Sequence, residues 1–221
     1  VGGACATNRA FDHEMLYLRY SREKNITAAQ DERIQSKRWH AVAATRYFRG
    51  YQALVRALGE PGEECPMFEN EFQQLIWLMG AGLGLQAALS DVQSNMQVGV
   101  PFNVAPKAER AAGCLDTEEG NKRWWGLPKG IRAALWTIVP GITPQGKDPW
   151  QELEAARKLG MKEGVRFPSA LDALVSNNIS NTERVRAVIR EHARSIKSTA
   201  SNKDYRMVDV LARDQLLQMS D

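Results

Sequence analysis

Along most of this chain apolar residues recur at three- and four-residue steps, the period of helices with one buried face, and strand-like alternation is almost absent. One stretch departs from that pattern. Leu75-Ile-Trp-Leu-Met-Gly-Ala-Gly-Leu-Gly-Leu-Gln-Ala-Ala-Leu89 is apolar all round a helix. At about 1.5 Å per residue it reaches about 22 Å, short of the roughly 30 Å hydrocarbon core of a bilayer, so it is expected to fill the centre of a helical protein. Gly80, Gly82 and Gly84 would each weaken an isolated helix by about 1 kcal/mol, which predicts close approach of a neighbouring helix there.

The remaining elements follow from periodicity and punctuation. Asn8 to about Lys24 carries Phe11, Met15, Leu16, Leu18 and Tyr20 on a ragged stripe and predicts a first helix, with residues 1–8 flexible before it. Thr27-Ala-Ala-Gln30 has the form of a capping box, and the apolar positions from Ile34 to Leu58 continue a helix that stops at Gly59. After the turn of Pro61, Gly62 and Pro66, a third helix is predicted from about Phe68 to Ser94. From Gln97 to Lys129 the period lapses among Pro106, Gly113, Gly120, Gly126 and Pro128, which predicts a long irregular excursion; loops of that length are commonly functional.

Beyond it, Ile131–Val139 reads as a helix stopped by Pro140 and Gly141. Asp148 as N-cap with Pro149 opens another that ends at Gly160. Ser169–Val175 reads as a short helix, Ser180-Asn-Thr-Glu183 as a capping box opening the stripe Val185, Val188, Ile189, His192 and Ile196, and Asp204–Met219 as a last helix packed on that one. The whole predicts an all-α single domain of about seven or eight helices, centred on helices 27–58 and 68–94, with residues 181–221 as a C-terminal helical pair.

Composition changes this picture little. With 221 residues, 43% hydrophobic and 25% charged, the chain can bury a good core and is not disordered as a whole. A net charge of +3 gives only weak support for nucleic acid or an anionic membrane as partner.

The beginning of the chain and its three cysteines bear on location. Val1 in place of Met reads as a processed product or an engineered start. Gly3-Ala4-Cys5-Ala6 resembles a lipoprotein cleavage box, which would make Cys5 a lipidation site, while Ala4-Cys5-Ala6 also fits the small-x-small rule of an ordinary signal peptidase. Gly2 stands where a lipobox expects Leu, and no hydrophobic leader is visible. Both readings imply export to a bacterial periplasm or envelope; an organelle reached after removal of a transit peptide is the alternative. Cys65 and Cys114 lie in loop-like sequence flanking the apolar helix, and a disulfide between them is the favoured pairing, with Cys5 left over. Three free thiols in a reducing compartment are the other reading. No C-x-x-C occurs to suggest a zinc ribbon or a redox motif.

Few residues suggest chemistry. His13, His40 and His192 sit on three different helices, none with a His or Glu three or four residues on, so no metal pair is formed by spacing. His192, on an apolar stripe beside Glu191, reads as a hydrogen-bonded core residue. The glycines around Gly82 are not a dinucleotide fingerprint, since no strand precedes them, and neither a G-x-S-x-G nor a P-loop is present. No small-molecule cofactor is evident. Adjacent Trp124 and Trp125 cannot both enter the core from one helix face, which makes them interface candidates beside the reading of two rings covering two sides of a packed loop.

Residues 181–206 hold seven basic residues against three acidic ones, and Arg186, Arg190, Arg194 and Lys197 share one helix face. Such a strip binds phosphates, meets a protein partner, or is simply a solvated face. Asn25-Ile-Thr27 and Asn178-Ile-Ser180 match the glycosylation sequon, which matters in a eukaryotic secretory protein. The leading expectation is a non-catalytic exported accessory or assembly protein that binds another protein or a second copy of itself. The alternatives are a helical protein binding nucleic acid or anionic lipid, of coat or nucleocapsid type, and a hydrolase with a site in 97–129 that uses Glu118 or Glu119.

Overall fold

A computed structural model describes residues 2–62, 64–139 and 141–220. Its regular elements are all helical: α1 (Gly2–Arg22), α2 (Ile26–Leu58), α3 (Glu71–Gln93), α4 (Val104–Gly113), α5 (Glu118–Arg123), α6 (Leu127–Ile138), α7 (Pro149–Glu163), α8 (Phe167–Asn178), α9 (Thr182–Ser198) and α10 (Arg206–Gln218). The all-α class is as the periodicity predicts, with ten helices among the described residues rather than seven or eight. Two compact units are distinguished, one formed by the chain as far as Glu60 with Gly82–Ala105, the other by Pro61–Ala81 with the chain from Pro106 onward.

In the first unit α2 folds back along α1. Residues 1–8, expected to be flexible, instead contribute the first turns of α1 from Gly2 on, because their small side chains allow close packing. Gly3, Ala6, Thr7 and Ala10 are buried, and a Cβ on Gly3 would stand only 2.4 Å from the Tyr47 ring. Thr7 Oγ1 and the Tyr47 hydroxyl share a hydrogen bond of 3.3 Å. The cap of α2 is Asn25, whose side chain accepts from the Ala28 amide at 3.3 Å, so the helix opens just ahead of the Thr27 box. After α3 the chain is turned by Asp91, a buried carboxylate that accepts from the amides of Val98 (2.9 Å) and Val100 (2.7 Å).

α3 carries the apolar run, with Trp77, Leu78, Ala81, Leu85 and Leu89 buried and Phe72 and Met79 exposed. It is therefore buried along one side rather than wrapped all round. By length and composition this 23-residue helix would suffice to cross a membrane, and 56% of its most apolar window is buried. A Cβ on Gly82 would meet nothing within 4 Å, so no helix presses on that glycine. A close approach does occur at Gly50 of α2, where a Cβ would be 2.9 Å from Leu83 Cδ1.

The second unit is arranged around α8, which touches α6, α7, α9 and α10 and buries every residue from Pro168 to Ser176. Its apolar contacts join Ala170 and Ala173 to Val188 of α9 and to Ala212 and Leu216 of α10. The C-terminal pair thus shares α8 as its partner. α7 starts as expected, Asp148 accepting from the Trp150 amide at 2.8 Å, but runs through Gly160 to a left-handed Gly164. Gly160 is a packing residue, since a Cβ there would be 2.7 Å from the Val165 carbonyl oxygen. α6 ends at Ile138 with Val139 as its cap, and Pro140 lies outside the described residues.

The excursion over 97–129 is corrected most. It holds α4 and α5 and opens α6, with irregular backbone only between them. Pro106 falls in the first turn of α4, where its missing N–H is harmless, and Gly120 lies within α5 because a Cβ would stand 2.1 Å from the Leu115 carbonyl oxygen. Cys65 and Cys114 form a disulfide, Cα–Cα 5.4 Å, within the second unit, and Cys5 is a free, exposed thiol in α1.

Candidate functional site

Trp124 and Trp125 are not available to a partner, each being 1% exposed. Trp124 Nε1 donates to Gln74 Oε1 at 3.1 Å, and both rings contact Tyr205, at centroid distances of 6.3 and 5.6 Å. Trp125 has φ +43°, so the backbone reverses there and turns the two neighbouring rings inward from different directions. That reversal is what the helix-face argument lacked.

The arginines divide into two classes. Buried Asp172 of α8 receives Arg184 Nε and Nη2 at 2.7 and 2.9 Å and pairs with Arg157 Nε at 3.0 Å. Arg166, 1% exposed, donates to Asp209 Oδ2 at 2.7 Å, to Ser195 Oγ at 2.9 Å and to the Thr199 carbonyl, joining α8, α9 and α10. These three arginines are structural. Hydrogen bonds from Ser201 and Arg166 hold the Asp209 carboxyl below its ordinary value against the upward push of burial. Arg186, Arg190, Arg194 and Lys197, by contrast, are all exposed on α9 with no acidic partner among the described residues. Arg194 also lines an open groove of about 510 Å³ with Lys158, Lys162 and Glu191.

Glu118 and Glu119 are exposed at the start of α5, and Glu119 pairs with Arg123 at 3.3 Å. Glu118 borders a second groove of about 670 Å³, together with Asp116, Asn121, Lys129, Lys158 and Lys162. Asp116 is committed elsewhere, to Arg132 Nη1 at 2.8 Å and Lys129 Nζ at 3.9 Å. Among the described residues no three His, Cys, Asp or Glu side chains gather as metal ligands.

Two features escape the sequence. The outer side of α10 presents Met207 (69% exposed), Val210, Leu211 and Leu217 (54%), four large apolar residues opposite the face that packs on α8. A second apolar side on this short helix dilutes the periodic signal that reveals one. The other is a small cavity of about 230 Å³ in the first unit, bordered by Glu14 and Tyr17 of α1, by Arg33, Ser36, Lys37 and His40 of α2, and by Gln93 of α3. His40 is 4% exposed, and neither of its ring nitrogens has a hydrogen-bond partner among the described residues. Burial lowers its pKa to about 4 and pushes the Glu14 carboxyl upward.

His192 is buried in the same way, its pKa lowered to about 4 by burial and by the neighbouring Arg166 charge, but among the described residues it makes no side-chain hydrogen bond, contrary to expectation. His13 is bonded to Glu32 at 2.5 Å. No family model, curated protein or solved structure matches this chain.

Proposed function

We propose that this chain is a non-catalytic helical protein of an exported, disulfide-permissive compartment that works by binding another protein through the outer face of α10. The observation that carries the reading is the alignment of Met207, Val210, Leu211 and Leu217 along that face, in water, on a helix whose other side is already packed. Such an arrangement loses free energy by exposure and regains it when an apolar stripe covers it, roughly 25 cal/mol for each Å² removed from water. The partner that fits is an amphipathic helix of another protein laid along α10. Support for the compartment comes from the Cys65–Cys114 bond, since disulfides persist where thiols are not kept reduced. Lipid attachment at Cys5, which is exposed, is the form of anchoring that would place the protein at an envelope.

A photo-crosslinking side chain at Val210, in the full chain in its own cells, tests this. The expected result is one dominant crosslinked species of defined mass that disappears in L211E and L217E while helix content and unfolding temperature stay as in the parent. Absence of a crosslink, or one indifferent to both substitutions, overturns the reading. A crosslinked species of twice the chain mass would identify a second copy as the partner.

A second reading rests on Arg186, Arg190, Arg194 and Lys197, exposed and without acidic partners among the described residues. It is a phosphate-bearing partner, nucleic acid or anionic lipid. Binding to a labelled oligonucleotide or to phosphatidylserine vesicles would then weaken steeply with salt, the logarithmic slope falling by about 0.7–0.9 for each cation removed from a nucleic acid complex. Retention of full binding in R190E/R194E excludes it.

A further inference from the structure

The cavity of the first unit has the makings of a ligand site that neither reading above uses. Arg33, Ser36, Lys37 and His40 stand at i, i+3, i+4 and i+7 of α2 and so share one helix face, while Glu14 and Tyr17 reach the same space from α1. α1 and α2 are packed against each other, and the Phe11 ring meets the His40 ring edge-on at 6.2 Å. Within these walls the two ring nitrogens of His40 have no hydrogen-bond partner among the described residues. An imidazole buried to 4% exposure with both nitrogens unpaired leaves one donor and one acceptor unsatisfied, an arrangement that costs free energy unless something polar enters. Two cations border the same space: Arg33, lying over the Tyr17 ring at 5.6 Å, and Lys37, neither with an acidic partner among the described residues. At about 230 Å³ the space exceeds several waters, each of about 30 Å³, and is small for a drug-sized molecule.

We propose that this cavity binds a small organic anion, its carboxylate or phosphate group held by Arg33 and Lys37 and its polar remainder hydrogen-bonded to the His40 imidazole. The guanidinium fork and the ammonium supply charge-assisted donors for the anionic end, and the neutral imidazole presents one donor and one acceptor, which suits a hydroxyl on the same molecule. The Glu14 carboxyl, which burial pushes upward, borders the same space from α1.

The test is titration of the full chain with sodium lactate and, separately, with inorganic phosphate, at constant ionic strength, following the ring nitrogens of the three histidines by NMR. A saturable displacement of the His40 signals with at least one probe, while His13 and His192 remain in place, is the expected result, and the probe that acts identifies the anionic group. R33Q/K37Q should weaken that binding tenfold or more, whereas K158Q/K162Q, in the other unit, should leave it unchanged. Should the double variant lose helix content, R33Q alone, at an exposed position, gives the same reading. No saturable shift with either probe, a shift shared by all three histidines, or undiminished binding in the Arg33 variants overturns the proposal.

Discussion

Asp172 is fully buried and held by two arginines from neighbouring helices, so it marks the point where α7, α8 and α9 are registered against one another. His40 and His192 are the opposite case, buried imidazoles with no hydrogen bond to hold a proton among the described residues, and both have pKa values lowered to about 4. The folded chain therefore refuses protons that the unfolded chain, with histidine near 6.5, accepts. Stability is fully present above about pH 6.5 and is lost as pH falls toward about 4, at about 1.4 kcal/mol per pH unit for each imidazole. At about pH 5 the two together remove roughly 4 kcal/mol, a large part of a typical domain's stability. Glu14, pushed up by burial, acts in the opposite sense over the carboxylate range and takes back part of that loss. Urea unfolding at about pH 7.5 and about pH 5 measures the difference, and H192F, which titrates in neither state, should flatten the slope by about half.

Helices were legible where one face was apolar and the ends carried caps. α2, α7 and α9 show this, with Asn25, Asp148 and Asn181 accepting from the first free amides within two or three residues of the position that the pattern indicates. α4 and α5 were not legible, because at 10 and 6 residues they hold too few periods to register and because their Pro106 and Gly120 read as loop signals. Of the candidate sites, the α9 strip was readable from spacing alone. The His40 cavity was not, since it exists only once α1 lies on α2.

Glycine has the same ambiguity, as its identity does not say whether it relieves a contact or merely weakens a helix. Gly120 relieves one, a Cβ there meeting the Leu115 carbonyl oxygen at 2.1 Å, while Gly82 faces open space. Gly120→Ala should thus destabilise by about 1–3 kcal/mol through overpacking, and Gly82→Ala should stabilise by up to about 1 kcal/mol through helix propensity. Equal effects of the two substitutions in chemical denaturation would refute that distinction.

The Cys65–Cys114 bond links two points of the second unit, and the chain between them, 49 residues in separation, includes Gly82–Ala105 of the first. Cutting the bond therefore frees a loop on which both units depend, even though each has its own contacts. By the chain-entropy account a closed loop of this length raises the free energy of the unfolded state by about 4 kcal/mol, and for a chain of this size each kcal/mol moves the unfolding midpoint by about 2–4 °C. Reduction should lower the midpoint by about 8–16 °C, and C65S/C114S should reproduce that value and no longer respond to reductant. The shape of the transition carries further information. If the loop constraint is shared, calorimetry should show both units moving down together on reduction. A transition that splits, with one component staying at its oxidised position, would mean that the crosslink stabilises the second unit alone. The region around α1 and α2, including the His40 cavity, would then fold independently of it.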